Sequence, residues 1–140
     1  MTVSSIRALV VDDSATIRTF VKAALEHEGF EVTEAKSGFE ALKILPKERF
    51  NLIVTDVNMP DINGLELVKY VRKEEAHRQT PLIIISTDGR ERDRDRGMHL
   101  GATSYLVKPF KPADLIGLVK RVMEKGTNVA PQMVAPAKKG

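Results

Sequence analysis

The sequence predicts an α/β fold in which helices cover both faces of one five-stranded parallel sheet, a doubly wound arrangement. Two observations support this prediction. Five short apolar runs rich in Val, Ile and Leu alternate with five stretches whose apolar side chains recur at helical spacing. The apolar runs are mostly continuous, which is typical of parallel strands buried on both faces. The length of 140 residues fits one such domain.

The first two strand–helix units are bounded by residues that start and end helices. Ser14 can cap the amino end of the first helix, and Gly29 its carboxyl end. Ser37 can cap the short second helix, which Pro46 ends because proline cannot continue a helix. In chain order the predicted elements are strand 6–11 (IRALVV), helix 14–28, the weaker strand 31–35 and helix 38–45.

The remaining three units follow the same alternation. Their middle strand is the most apolar run of the chain, and the helix after it is highly charged and ends at Gly101. The predicted elements are strand 51–55 (NLIVT), helix 64–73, strand 81–86 (PLIIIS), helix 90–100, strand 104–107 and helix 113–125. The predicted domain covers residues 5–125. Residues 126–140 are rich in Pro, Ala, Gly and Lys and are predicted to be a disordered tail or a linker stub.

Composition excludes several classes of protein. The chain has no cysteine, so it has neither a disulfide scaffold nor a thiolate zinc site. Its formal net charge is only +3, with basic and acidic residues interspersed, which argues against nucleic-acid binding. The longest apolar runs are too short to span a bilayer, and no signal peptide is recognisable at the start. We therefore expect a cytoplasmic protein without a membrane partner.

Polar residues stand at the carboxyl ends of four predicted strands. Asp12 and Asp13 follow the first strand, Asp56 follows the third, Ser86 ends the fourth and Lys108 follows the fifth. Open parallel sheets bind ligands at this edge. Three crowded carboxylates need a cation, and oxygen ligands suit Mg2+, while a carboxylate can itself accept a phosphoryl group. Taken singly, each residue has an ordinary alternative as a helix cap or a solvated side chain.

Four motifs strengthen this interpretation: LVVDDS (9–14), VTDVNMPDINGLEL (54–67), IIISTDG (83–89) and LGATSYLVKPF (100–110). Together and in this order they resemble the response-regulator receiver domains of the CheY-like type. The resemblance covers roughly residues 5–125. It implies a flavodoxin-like (βα)5 fold with strand order 2-1-3-4-5.

The resemblance also implies a role for each acidic residue. Asp56 takes the position of the phosphoacceptor. Asp12 and Asp13 match the acidic pair that binds Mg2+ together with Asp56, and the backbone carbonyl of Asn58 would be a further ligand. These roles come from the family and not from the spacing of the residues.

The same resemblance assigns the residues around the acceptor. Lys108 and Ser86 would assist the chemistry, Lys108 through its charge and Ser86 through its hydroxyl. Ser86 would also act with Tyr105 as the switch that reports the phosphoryl group. Thr87 is an alternative to Ser86, although Ser86 keeps the usual spacing to Lys108. The Lys108–Pro109 peptide is usually cis in this family.

Asn58 and Asp88 are expected to flank the path of the water that hydrolyses the acyl phosphate. Both are small and polar, so neither shields the phosphorus, and we expect a phosphoryl state that lasts seconds to minutes. Substituting either residue should modulate dephosphorylation.

The resulting functional prediction is a signalling domain and not a conventional enzyme, with intrinsic autophosphorylation and autodephosphorylation chemistry. A sensor histidine kinase or phosphotransfer protein would donate the phosphoryl group. A downstream target would bind the face formed by the fourth helix, fifth strand and fifth helix.

Two alternatives accompany this prediction. The chain could be the receiver fragment of a larger response regulator. A phosphatase of the haloacid dehalogenase type also uses an aspartyl-phosphate. That family has a second acid two residues after its nucleophile, where this chain has Asn58.

Overall fold

The computed structural model describes residues 6–86 and 91–125, and its sheet has the predicted topology. Five parallel strands are ordered β2-β1-β3-β4-β5, which confirms the doubly wound, flavodoxin-like arrangement. The elements are β1 Ile6–Val11, α1 Ala15–His27, β2 Phe30–Ala35, α2 Gly38–Ile44, β3 Leu52–Asp56, α3 Gly64–Lys73, β4 Leu82–Ser86, α4 Glu91–Leu100, β5 Ser104–Val107 and α5 Pro112–Lys125, with a 3-10 turn at Glu75–His77 before β4.

The residues predicted to bound the helices lie close to the positions expected of them. The hydroxyls of Ser14 and Ser37 cap α1 and α2, accepting the amide hydrogens of Ile17 and Glu40. Gly29 was predicted to cap α1, but the cap is Glu28, and Gly29 follows with φ of 96°, a left-handed conformation that glycine adopts readily.

The helices form two layers, one on each side of the sheet. Helices α1 and α5 contact each other on one face, while α3 lies between α2 and α4 on the other. Alternate residues of each central strand enter opposite cores. Ile83 and Ile85 pack towards α1 and α5, whereas Ile84 packs towards α3. All three side chains are at most 1% exposed, as the continuous apolar runs predicted.

The strand order brings the carboxyl ends of β1 and β3 side by side. From β1 the chain first crosses to β2 on one side and then returns to place β3 on the other. Such a reversal opens a crevice at the edge of a doubly wound sheet where ligands bind. Asp12 follows β1 directly and Asp56 is the last residue of β3, so both carboxylates lie at this crevice.

No helix within residues 6–86 and 91–125 is long and apolar enough to cross a membrane. Residues 126–140, predicted to be a disordered tail or linker, lie outside the described residues. That expectation stays a prediction.

Candidate functional site

Three carboxylates meet at the crevice between β1 and β3. Oxygen atoms of Asp12, Asp13 and Asp56 all lie within 4.8 Å of one another. Asp12 and Asp56 are buried, with 1% and 3% of their surface exposed, whereas Asp13 is exposed. The structure thus brings together the three acids that the sequence placed at two separate strand ends. It also makes one correction, because Asp56 is the last residue of β3 and not the residue after it.

Lys108 provides the positive charge that faces this cluster. Its Nζ atom lies 3.5 Å from Oδ2 of Asp12 and 3.4 Å from Oδ1 of Asp56. Its backbone N–H donates to the carbonyl oxygen of Ser86 at 2.8 Å, which ties the loop after β5 to the end of β4. The Lys108–Pro109 peptide is cis, as the family resemblance implied.

One lysine cannot satisfy the three acids. Oδ2 of Asp12 and Oδ1 of Asp56 are buried and accept no hydrogen bond from any described residue. Both face the single Lys108 ammonium, and a buried carboxylate oxygen without a hydrogen bond is costly. With all groups ionised, three carboxylates and one ammonium leave two negative charges, which a divalent cation would neutralise. The hard oxygen donors, two of them buried without a hydrogen bond, fit Mg2+.

The electrostatic surroundings of Asp56 reflect this excess of negative charge. Burial, followed by the charge of Asp12, raises the pKa of Asp56 from its ordinary value of 3.8 to about 6. Lys108 opposes this rise, and the charge of Asp13 adds to it. In the absence of a cation, Asp56 therefore keeps its proton to a higher pH than an ordinary aspartate does.

The segment that follows β3 wraps closely around Asp56. The N–H of Val57 donates to the carbonyl of Ile85 at 2.9 Å, and the N–H of Gly64 donates back to the carbonyl of Val57 at 2.8 Å. A Cβ atom at residue 64 would lie 2.1 Å from the carbonyl oxygen of Asp56, so only glycine allows α3 to begin this close to the site. Asn58 lies in this segment and is exposed.

The predicted switch residues lie on the two neighbouring strands. Ser86 ends β4 with 2% of its surface exposed, one residue beyond Ile85, which pairs with Asp56. Tyr105 lies in β5, half-buried against the core, and the Arg94 guanidinium stands 5.0 Å from the centre of its ring. Asp88 and the alternative sensor Thr87 lie outside the described residues.

Two residues near the site, Asp61 and Arg18, were not predicted from the sequence. Asp61 accepts hydrogen bonds from the amides of Phe39 at 2.8 Å and Gly38 at 3.3 Å, which anchors the segment after β3 to the start of α2. Arg18 reaches from α1 to the carbonyl of Asp12. No sequence pattern predicts either contact. Asp61 binds backbone amides that are distant in the sequence, and Arg18 binds a backbone carbonyl.

A doubly wound sheet with an acidic cluster and a facing lysine at its crevice is the architecture that the motifs had indicated. Residues 8–120 match the family model of the response regulator receiver domain. The chain therefore belongs to the response regulator receiver family of two-component signalling proteins.

The chain is similar in sequence to a chemotaxis protein and to a transcriptional regulator. It is similar to the chemotaxis protein CheY homolog of Campylobacter jejuni, with 40% identity over 123 residues that cover 86% of this chain and 95% of the relative. It is 33% identical over 128 residues, 91% of its length, to the transcriptional regulatory protein SrrA of Staphylococcus aureus, and spans 52% of that protein.

Solved structures resemble the whole described fold. Chemotaxis response regulator CheY4 of Vibrio cholerae matches with a TM-score of 0.80 at 40% identity, covering 85% of this chain and 99% of that one. The receiver domain of sensor histidine kinase PA1611 from Pseudomonas aeruginosa was solved with a magnesium ion coordinated in its active-site cleft. It matches with a TM-score of 0.79 at 27% identity, covering 87% of this chain and 100% of that one.

Proposed function

We propose that this chain relays a two-component signal by accepting a phosphoryl group on Asp56. The observation that carries the proposal is the meeting of Asp12, Asp13 and Asp56 within 4.8 Å, faced by Lys108. In this cluster Asp56 combines burial, an oxygen without a hydrogen-bond partner and an ion pair with the lysine. A carboxylate so placed can act as a nucleophile once its excess negative charge is neutralised.

Asp12, Asp13, Asp56 and the backbone carbonyl of Asn58 would hold Mg2+. The magnesium ion reported in the cleft of the related PA1611 receiver supports this assignment. When bound, the ion supplies positive charge that offsets the repulsion between the carboxylates and the incoming phosphoryl oxygens.

The side chains of the site each perform one part of the transfer. The Asp56 carboxylate forms a bond to phosphorus as the bond from phosphorus to the donor's imidazole nitrogen breaks. The imidazole nitrogen keeps the electron pair of that bond and takes up a proton from water. The Lys108 ammonium pairs with an oxygen of the arriving group, and the Ser86 hydroxyl donates a hydrogen bond to another.

The partners follow from this chemistry. A sensor histidine kinase or a phosphotransfer protein donates the group, in the cytoplasm, and small acyl phosphates serve for autophosphorylation. A downstream target then binds the face formed by α4, β5 and α5, where Tyr105 lies. The spontaneous loss of the group, with Asn58 and Asp88 beside the attacking water, ends the signal.

The test is the mass of the intact protein after incubation with acetyl phosphate and Mg2+. Wild type should gain one phosphoryl group, whereas Asp56→Asn, or wild type in EDTA, should gain none. Glu66→Gln is the matched control, because it removes an exposed acid from the nearby helix α3 and should be labelled normally. Equal labelling of Asp56→Asn and wild type would contradict the proposal.

A further inference from the structure

Arg18 connects helix α1 to the backbone of the acidic pair. Its Nη1 atom donates a hydrogen bond of 2.7 Å to the carbonyl oxygen of Asp12. This carbonyl belongs to the peptide group that joins Asp12 to Asp13. The side chain of Arg18 is only 15% exposed, so its charge is largely withdrawn from solvent and the hydrogen bond is correspondingly strong.

The sheet itself does not hold this carbonyl. The N–H of Asp12 donates to the carbonyl of Ala35 at 3.1 Å, which is the last contact of the ladder between β1 and β2. In a parallel ladder the carbonyl of Asp12 would next meet an amide beyond Ala35, but β2 ends there. The guanidinium of Arg18 takes the place of the missing strand partner.

A second contact fixes the guanidinium. Nε of Arg18 donates to Oε1 of Glu34 at 3.1 Å, and Lys22 lies 3.5 Å from the other oxygen of the same carboxylate. A guanidinium presents several donors in a rigid plane, so one group can bind Glu34 and the Asp12 carbonyl together. Lysine offers a single ammonium and cannot reproduce this geometry.

We propose that Arg18 is a positioning residue of the metal site. It holds the peptide between Asp12 and Asp13 at the end of β1, so that both carboxylates stay within reach of Asp56. The Asp12 side chain is fixed as well, because its Oδ1 accepts the amide hydrogen of Ser14 at 2.9 Å. The described contacts of the Arg18 guanidinium are with Glu34 and with the Asp12 carbonyl, so Arg18 acts through this peptide. The inference rests on the proposed Mg2+ site.

The experiment compares Arg18→Gln with Lys22→Gln. Both variants remove a cation of α1 that pairs with Glu34, but only Arg18 is bonded to the Asp12 carbonyl. Calorimetric titration of the unphosphorylated protein with Mg2+ should give a Kd roughly tenfold weaker for Arg18→Gln, the order expected when the support of a metal ligand is lost. Lys22→Gln should stay within about twofold of wild type. Arg18→Lys should recover only part of the affinity.

A second measurement needs no metal. In EDTA, the backbone amide resonance of Asp13, whose nitrogen belongs to the supported peptide, should shift in Arg18→Gln and stay in place in Lys22→Gln. Wild-type affinity in Arg18→Gln, an unmoved Asp13 amide, or equal losses in both variants would overturn the inference. If wild type itself binds no Mg2+, the proposed metal site is wrong, and the Asp13 resonance still decides whether Arg18 holds this peptide.

Discussion

Asp56 lies in surroundings that disfavour its negative charge. It is buried beside Asp12, and its ion pair with Lys108 offsets only part of the cost, which is why its pKa rises to about 6. If Asp56 is the phosphoacceptor, as we propose, a cation bound in the cluster would offset this unfavourable energy. The same unfavourable energy should lower the free energy of unfolding of the metal-free protein.

We expect Asp56→Asn to stabilise the metal-free protein at pH 7. Because the pKa of Asp56 is raised from 3.8 to about 6 on folding, the folded wild type binds more protons than the unfolded chain between these values. Its stability should therefore fall, relative to the variant, as pH rises from 4 to 7, by on the order of 2 kcal/mol. Urea unfolding in EDTA at a series of pH values measures this difference. A difference that does not change between pH 4 and 7 would contradict the raised pKa.

Asn58 should set the lifetime of the phosphoryl group. Its side chain is exposed two residues after Asp56, where it can orient a water but cannot shield the phosphorus. We expect Asn58→Met to slow the decay of labelled protein severalfold after removal of the donor, and Asp88→Tyr to act in the same direction. Asn58→Ala separates the two effects, since it removes the amide without adding bulk. A decay as fast as wild type in both bulky variants would exclude this role.

At the scale of elements, the site depends on how closely α3 begins behind β3. Gly64 donates to the carbonyl of Val57, and its missing side chain leaves room for the carbonyl oxygen of Asp56. Gly117 is a matched comparison in α5, because a Cβ atom there would meet nothing within 4 Å. The two glycines therefore distinguish a steric requirement from helix propensity.

We expect opposite effects from Gly64→Ala and Gly117→Ala. The first forces a methyl group against the backbone of Asp56 and should cost about 1–3 kcal/mol, the usual range for overpacking. The second should leave stability unchanged or raise it by up to about 1 kcal/mol, because alanine favours a helix interior. Chemical unfolding measures both. Phosphorylation by acetyl phosphate should slow only in Gly64→Ala. Similar stabilities for the two variants would show that the contact at residue 64 can relax at little cost.

These elements also show what the sequence could predict. The order of strands and helices follows from apolar periodicity and from caps such as Ser14 and Ser37, whose hydroxyls bond as expected. The end of β3 was placed one residue early because a carboxylate breaks an apolar pattern, although the backbone of Asp56 continues the ladder. The end of β2 at Ala35 was predicted correctly, but the support that Arg18 gives to Asp12 was not, because a hydrogen bond from a side chain to a backbone carbonyl leaves no pattern in the sequence.

Across the whole molecule, the carboxyl and amino ends of the strands differ in how well their buried polar groups are hydrogen-bonded. The carboxyl ends of the strands carry the acidic cluster, in which two buried oxygens accept no hydrogen bond. Near the amino ends of β3 and β4, the fully buried His77 accepts the amide hydrogen of Phe50 on Nε2 at 3.2 Å, which leaves Nδ1 to donate to Glu74 at 2.8 Å. This satisfied cluster of Glu74, His77 and Phe50 gives an internal reference for any change that begins at Asp56.

Phosphorylation should change the structure around β4, α4 and β5 and not throughout the sheet. Beryllofluoride, a phosphoryl mimic, should bind only when Asp56 and Mg2+ are present. We expect it to draw the Ser86 hydroxyl inward and change the packing of Tyr105 beneath Arg94. Amide resonances of β4, α4 and β5 should shift, while those of His77 and Phe50 stay within experimental error. Asp56→Asn with the same additions is the control and should show no shift. Shifts confined to residues that touch the mimic, or equally large at His77, would refute a switch directed towards the α4–β5–α5 face.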